Sequence, residues 1–324
     1  MKVRRRVAAA TALLLAAVAG CDSGTSTGSD SGLEKDTVVV AALPLLDVAA
    51  LHIAMARRMF QAEGLTVKVQ PVAQSLAALP ALQNGQVDVI AGANYVTFLQ
   101  AHAQGTLKLK IIADGAAQAP RFMRLLVAPD SPIRTPADLA GRTVAVNILN
   151  NIQSLTLNEI LTAEGVDPST VKYRAVPFPL MDKALAGGDV DAVHTGEPFG
   201  TVIERRLKAR MVVDGGGPPV TGLPVSGYVS SAEFVTKYPR TAAAFQRAIE
   251  KAQALAAADR SAVERVLPSY AKVDEQTATA LTLPGYPAAP DAARMRRLIG
   301  LMVKQGLLKA DIDPAGLIFT PAAR

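Results

Sequence analysis

The 324-residue sequence holds one cysteine, no tryptophan, three histidines and only 4% aromatic residues. With Cys21 alone, no intramolecular disulfide can form, which excludes a disulfide scaffold. The shortage of aromatics leaves no base-stacking platform for nucleic acid. Charge of one sign is also scarce. The formal net charge is +6, but Lys2, Arg4, Arg5 and Arg6 lie in an acid-free N-terminal stretch, and the remaining chain carries +2 with bases and acids mixed. No basic stripe survives, which argues against a nucleic-acid partner. After residue 20, no run of about 18 residues is free of charges and turn clusters, which excludes a polytopic membrane protein. Catalytic motifs are missing too: there is no Gly-x-Ser-x-Gly, no His-Glu-x-x-His and no cysteine nucleophile in the body of the chain. Gly215-Gly216-Gly217 lacks the Lys-Ser/Thr of a phosphate loop and reads as a turn. His52, His102 and His194 lie far apart without close ligand partners, so neither a metal site nor a cofactor is expected.

What is present is a globular composition. Half of the residues are hydrophobic, and the length suits about two domains. Residues 1–20 read as a signal peptide, with a positive stretch from Lys2 to Arg6 followed by an apolar run from Val7 to Ala19. As a helix that run covers roughly 20 Å, short of the roughly 30 Å hydrocarbon core. It ends Val18-Ala19-Gly20-Cys21, which resembles the bacterial lipobox with Val in place of the usual Leu. Cys21 would then be acylated; the plainer alternative is a secretory signal with a chance cysteine. Residues 21–36 continue as a Ser/Gly/Thr-rich segment expected to be a flexible tether.

From Thr37 the pattern alternates. β-Branched runs at 37–43, 65–72, 87–91 and 107–113 read as strands, with helical periodicity over 48–63, 76–83 and 95–104 between them. Strands at 122–128, 143–146, 171–176 and 190–194 then enclose helices at 151–164 and 181–186. This order implies βαβ units and largely parallel sheets. The phrases ALQNGQVDVIAG at 81–92 and ALAGGDVDAVHTG at 184–196 mark equivalent positions in two similar α/β lobes, with Asp88 and Asp191 expected to cap the preceding turns. Beyond Ala232 the chain reads as mostly helical.

Several segments, in order, resemble the bacterial solute-binding proteins that serve nitrate, taurine, alkanesulfonate and thiamine-pyrimidine importers. They are AALPLLDVAALHIAMARRMFQAEGLTVKVQPV with LPALQNGQVDVIAG, then APDSPIRTPADLAGRTVAV, LTAEGVDPSTVKY and ALAGGDVDAVHTGEPF. The likeness spans about residues 37–205. It implies a two-lobed, type II periplasmic-binding-protein-like α/β architecture with two crossing strands, near 121–129 and 223–230. Lobe 1 would hold residues 37–124 and 226–324, and lobe 2 residues 125–225.

In such a fold, ligands bind beyond the carboxyl ends of the parallel strands. The loops at those ends give the candidate ligand contacts Leu46, Asp47, Ser75, Asn94, Tyr95, Asn147, Asn150, Asn151, His194 and Glu197. Ser75, Asn94 and Asn151 stand at expected helix starts, where free N–H groups suit an anion; the same side chains equally serve as N-caps. Asp47 and Glu197 facing the cleft would favour a cationic or N–H-rich end, and no Arg or Lys falls in these loops. Alternatively, Asp47 caps a helix and Glu197 starts one.

The expectation is an extracytoplasmic lipoprotein, not an enzyme. It would be a monomer held by its lipid to the outer face of the cytoplasmic membrane. It would pass a small polar organic solute (an aminosulfonate, sulfonate or pyrimidine-like molecule) to an ABC permease. Two alternatives remain: an enzyme on the same fold, of the pyrimidine- or menaquinone-pathway type, and a sensor or structural lipoprotein.

Overall fold

The computed structural model describes residues 32–322. Cys21, the signal peptide and most of the tether lie outside the described residues. Among the described residues, ten strands form two five-stranded sheets. The first contains β1 (Thr37–Ala42), β2 (Thr66–Pro71), β3 (Val89–Asn94), β4 (Leu109–Ala117) and β10 (Pro224–Ser231) in the order β2-β1-β3-β10-β4. The second contains β5 (Met123–Val127), β6 (Thr143–Val146), β7 (Lys172–Ala175), β8 (Ala192–Gly196) and β9 (Arg210–Asp214) in the order β7-β6-β8-β5-β9.

Each sheet has a parallel core and one antiparallel strand in the same place. β1 pairs in parallel with β2 and β3, and β6 with β7 and β8. β10 runs antiparallel between β3 and β4, and β5 runs antiparallel between β8 and β9. The chain therefore passes to the second sheet after Ala117 and returns before Pro224. Met123 and Arg124 already belong to the second sheet, and Pro224 and Val225 to the first, two residues from the expected boundaries in each case. β9 had no counterpart in the sequence reading, because charged residues bracket its short apolar centre.

The continuous apolar strands are buried on both faces, as a sheet covered by helices requires. The helix Pro239–Ala258 covers the first sheet, and two of its glutamines complete the backbone pairing at the irregular edge of β4. Gln246 donates to the Ile112 carbonyl at 2.7 Å, and Gln253 to those of Asp114 and Gly115 at 2.6 and 2.8 Å. The helix expected over 48–63 is broken into Ala49–Ala56 and Met59–Ala62, with Arg58 in the left-handed region at φ 54°. The break turns Phe60 inward, where it stacks on Phe245 with ring centroids 5.3 Å apart.

Asp88 and Asp191 do occupy equivalent places, but they do not cap the preceding turns. Asp88 accepts the Val39 N–H of β1 at 2.9 Å, and Asp191 accepts the Thr143 N–H of β6 at 2.8 Å. Each carboxylate thus fixes the entry of the neighbouring parallel strand. Among the described residues, no helix is long and apolar enough to cross a membrane.

Candidate functional site: a cleft between the two sheets

The carboxyl ends of β1, β3, β6 and β8 converge on one cavity. Leu43, Leu45, Asp47, Ser75, Gly92, Asn94, Val225 and Ser226 line it from the first sheet and its loops. Met123, Asn147, Ile148, Asn151, Ile152, Gln153, Phe178, Gly196 and Glu197 line it from the second, with Phe122 from the crossing segment. The free space is about 30 Å³, room for roughly one water molecule. Two glutamines reach across from the first sheet's side to the loop after β6. Gln74 donates to the Asn147 carbonyl and Gln100 to the Asn150 carbonyl, both at 2.8 Å.

Six of the expected contacts meet here: Asp47, Ser75, Asn94, Asn147, Asn151 and Glu197. Leu46, Tyr95, Asn150 and His194 do not line the cavity. Leu46 is fully buried, with its carbonyl accepting from Tyr286 Oη at 3.1 Å. Tyr95 turns under the first sheet, where its hydroxyl donates to Asp114 Oδ1 at 2.6 Å and fills the space that Gly227 leaves open. The His194 ring packs on Gly215. Its Nδ1 lies 2.9 Å from the Gln153 carbonyl, which can only accept, so Nδ1 carries the proton. Burial lowers this imidazole from its ordinary 6.5 to about 4, so it is neutral near pH 7. Asn150 stands at φ 55° on the rim and offers its carbonyl to Gln100. Leu46, Tyr95 and Asn150 follow strand ends as the sequence suggested and His194 lies within β8, but none of the four lines the cavity.

Three of the helices that begin at the cavity have their N-terminus occupied by a side chain of this protein, whereas the turns that start at Leu46 and Ser75 carry no side-chain cap. Asn94 caps Tyr95–Ala103 by accepting from Thr97 N at 3.4 Å. Asn151 caps Ile152–Ala163 by accepting from Gln153 N and Ser154 N at 3.0 and 3.3 Å. Glu197 Oε2 accepts from Thr201 N, in the first turn of Phe199–Leu207, at 2.9 Å. Ser75 is not the expected N-cap: it lies within a short turn over Ser75–Ala78, and its Oγ accepts from Asn94 N at 3.4 Å.

The two carboxylates differ. Glu197 is completely buried and saturated. Its Oε1 takes Arg124 Nη2, Thr201 Oγ at 2.7 Å and Thr282 N at 3.0 Å. Burial raises its carboxyl above the ordinary value, and Arg124 opposes that rise. Asp47 is the freer group. It accepts from Ser226 Oγ, and burial pushes its carboxyl up to about 6 against that bond and the one from its own backbone N–H. The Arg124 guanidinium is spent on Glu197 and Glu204 and does not line the cavity.

Sequence reasoning placed Gln74 in a cleft loop but missed Gln153, Ser226 and Arg124. Gln153 Oε1 accepts from Asn147 N at 2.8 Å and Asn151 Nδ2 at 2.7 Å, while its Nε2 donates to the His194 carbonyl. It thereby ties the ends of β6 and β8 to the helix between them. It stands in the helix start Ile152-Gln153-Ser154-Leu155-Thr156, where polar residues alternate with apolar ones and nothing local marks it out. Ser226 and Arg124 come from the two antiparallel strands, whose placement no local pattern reveals.

The comparisons agree with this architecture. The alkanesulfonate-binding protein SsuA of Xanthomonas axonopodis pv. citri, solved bound to MOPS, superposes with a TM-score of 0.74 at 21% identity, over 88% of this chain and 99% of that one. The periplasmic nitrate-binding protein NrtA of Synechocystis PCC 6803 gives 0.74 at 15% identity, over 87% and 84%. The desulfurization enzyme DSZB gives 0.63 at 16% identity, over 89% and 97%. At these identities the likeness is one of fold. A search of curated protein sequences returned no match. The model of the family described as NMT1/THI5 like matches residues 46–262, more than half of the sequence. With its two sheets facing one cleft in the periplasmic-binding-protein fold, the chain belongs to the NMT1/THI5-like family.

Proposed function

We propose that this protein is an extracytoplasmic solute-binding lipoprotein. It captures a small polar organic solute between two lobes and hands it to an ABC importer in the cytoplasmic membrane. One observation carries the reading: a single cavity is lined by strand ends of both sheets and bridged at its rim by Gln74 and Gln100. Such a cavity opens and closes if the lobes hinge about the two crossing segments, burying the solute from both sides. The lobes are residues 37–117 with 224–324, and 123–214, joined by the two crossing segments between them. Solved proteins of the same fold named for binding alkanesulfonate and nitrate support this reading. The candidate solutes are sulfonates, aminosulfonates and pyrimidine-like molecules.

The likeness to DSZB keeps an enzyme as a second reading. Against it stands the environment of the cleft hydroxyls. Ser75 and Ser226 line the cavity, but the nearby imidazole of His194 turns away to Gly215. A thermal-shift screen tests the function. A true solute at 100 times its dissociation constant should stabilise the protein by about 2.7 kcal/mol and be recovered unchanged; recovery of a converted product would favour the enzyme. The anchor is tested separately. Cys21→Ser should move the protein from the membrane to the soluble fraction, and retention in the membrane would remove the lipid from the proposal.

A further inference from the structure

After the helix Glu275–Ala280, residues 281–286 pass beside the two segments that join the lobes. Gly285 exchanges both backbone hydrogen bonds with Ala117, the last residue of β4, at 2.9 and 3.0 Å. Ala117 is also paired with Pro224, the first residue of β10. The exit from the first sheet, the return to it and the segment 281–286 therefore lie side by side at the hinge. Tyr286 is buried and ties the segment to the first lobe. Its Oη donates to the Leu46 carbonyl at 3.1 Å, in the turn that also carries Asp47. Arg260 fixes the approach by donating to the Thr279 and Leu281 carbonyls at 2.9 and 2.7 Å. Between these anchors, the Thr282 N–H donates to Glu197 Oε1 at 3.0 Å, on the second lobe's wall of the cavity. The other donors to Oε1, Arg124 Nη2 and Thr201 Oγ, both belong to the second lobe.

The geometry points to a third connection between the lobes: residues 281–286 form a strap across the hinge, and the Thr282 N–H on Glu197 latches the cleft closed. This rests on the reading that the lobes hinge about the two crossing segments. Three residues separate the anchor at Gly285 from the contact at Thr282, a reach of at most about 10 Å, so the strap has little slack. When the second lobe swings away, Glu197 travels with Arg124 and Thr201. Gly285 and Tyr286 stay with Ala117 and Leu46. The Thr282 bond is then the one to break, and a bond to a buried carboxylate is costlier to lose than a neutral one. Arg205 of the second lobe also reaches the helix before the strap, donating to Thr277 Oγ at 3.2 Å, but that contact is exposed and adds little. Thr282 does not line the cavity; it is a positioning residue that acts through Glu197.

Distances between spin labels on the two lobes test the strap, with Lys68→Cys on β2 and Lys172→Cys on β7 of the full chain in detergent. Both lysines are exposed and stand on the edge strand of their sheet. Cys21→Ser in every sample leaves only the introduced cysteines to label. No solute is added, so a failed solute screen and a failed strap are separate outcomes. Thr282→Pro deletes the N–H, and Leu281 before it, at φ −67° and ψ 148°, already has the backbone that precedes a proline. Thr282→Ala keeps the N–H. Thr282→Pro is expected to raise the ratio of open to closed molecules about tenfold, read as a longer label distance, with Thr282→Ala unchanged. An unchanged distribution in Thr282→Pro, or an equal shift in Thr282→Ala, overturns the latch. Should Thr282→Pro fail to fold, Tyr286→Phe decides, because it frees the strap from the Leu46 carbonyl: a shift to longer distances supports the strap, and none overturns it.

Discussion

Asp47 has a cost in the ligand-free protein that can be measured. Burial holds its carboxyl near 6 against an ordinary 3.8, so between about pH 4 and 6 the folded state binds the proton that the unfolded state has released. Stability therefore falls as pH rises through that window. At 1.36 kcal/mol per pH unit the full loss is at most about 3 kcal/mol. Asp47→Asn should thus be more stable than the unsubstituted protein at pH 7.5, with the difference shrinking towards pH 4; urea unfolding at several pH values reads it. Parallel pH profiles for the two proteins would show that Asp47 is not desolvated. His194 works in the opposite direction. Its lowered value of about 4 gives stability that is complete above 6.5 and is lost as pH falls. Individual residues were legible in the sequence only as positions. The rule that loops follow strand ends located Asp47, Asn94, Asn147 and Glu197. It could not say which side chain faces the cavity, because the direction depends on neighbours distant in sequence: Tyr95 is drawn inward by Asp114, and His194 by the gap at Gly215.

Among elements, the repeated Val-Asp phrase was the most informative part of the sequence, and its chemistry differs from the simplest expectation. Asp88 and Asp191 each accept the N–H of a neighbouring strand, so both should matter, but unequally. Asp88 is 4% exposed and also pairs with Lys35, whereas Asp191 is half-buried. Removing an acceptor costs most where water cannot replace it. Asp88→Ala is expected to destabilise by about 2–3 kcal/mol and Asp191→Ala by about 1 kcal/mol, measured by denaturant unfolding. The reverse order would contradict this account. Parallel strands and their helices were readable because each is a local run with its own stop signal. β5 and β10 were harder. Their apolar character is visible, but antiparallel insertion between two existing strands is a non-local choice. The partners they bring to the two cleft carboxylates, Arg124 to Glu197 and Ser226 to Asp47, were invisible for the same reason.

At the scale of the whole molecule, the cavity of about 30 Å³ is too small for an organic solute, so capture requires the two sheets to part. The contacts that cross between them then help set the balance between open and closed. One lies outside the cavity wall. Gln305, at the end of the helix Ala292–Lys304, donates to the Leu155 carbonyl at 3.0 Å and to Glu159 Oε1 at 2.8 Å, and accepts from Asn158 Nδ2 at 3.1 Å. These partners belong to the helix whose first turn lines the cavity. The neighbouring Lys304–Glu159 ion pair, 2.9 Å long, has a largely exposed lysine and adds little. Gln305→Ala removes the stronger tie without touching any residue that lines the cleft. The closed state should lose about 1 kcal/mol relative to the open one. A solute that needs the closed state then binds about fivefold more weakly, because its affinity scales with the fraction of competent molecules. The ligand-free variant should also show a larger radius of gyration by X-ray scattering. A weaker dissociation constant with unchanged scattering would place Gln305 in solute binding itself, and no change in either would mean that the contact does not control closure.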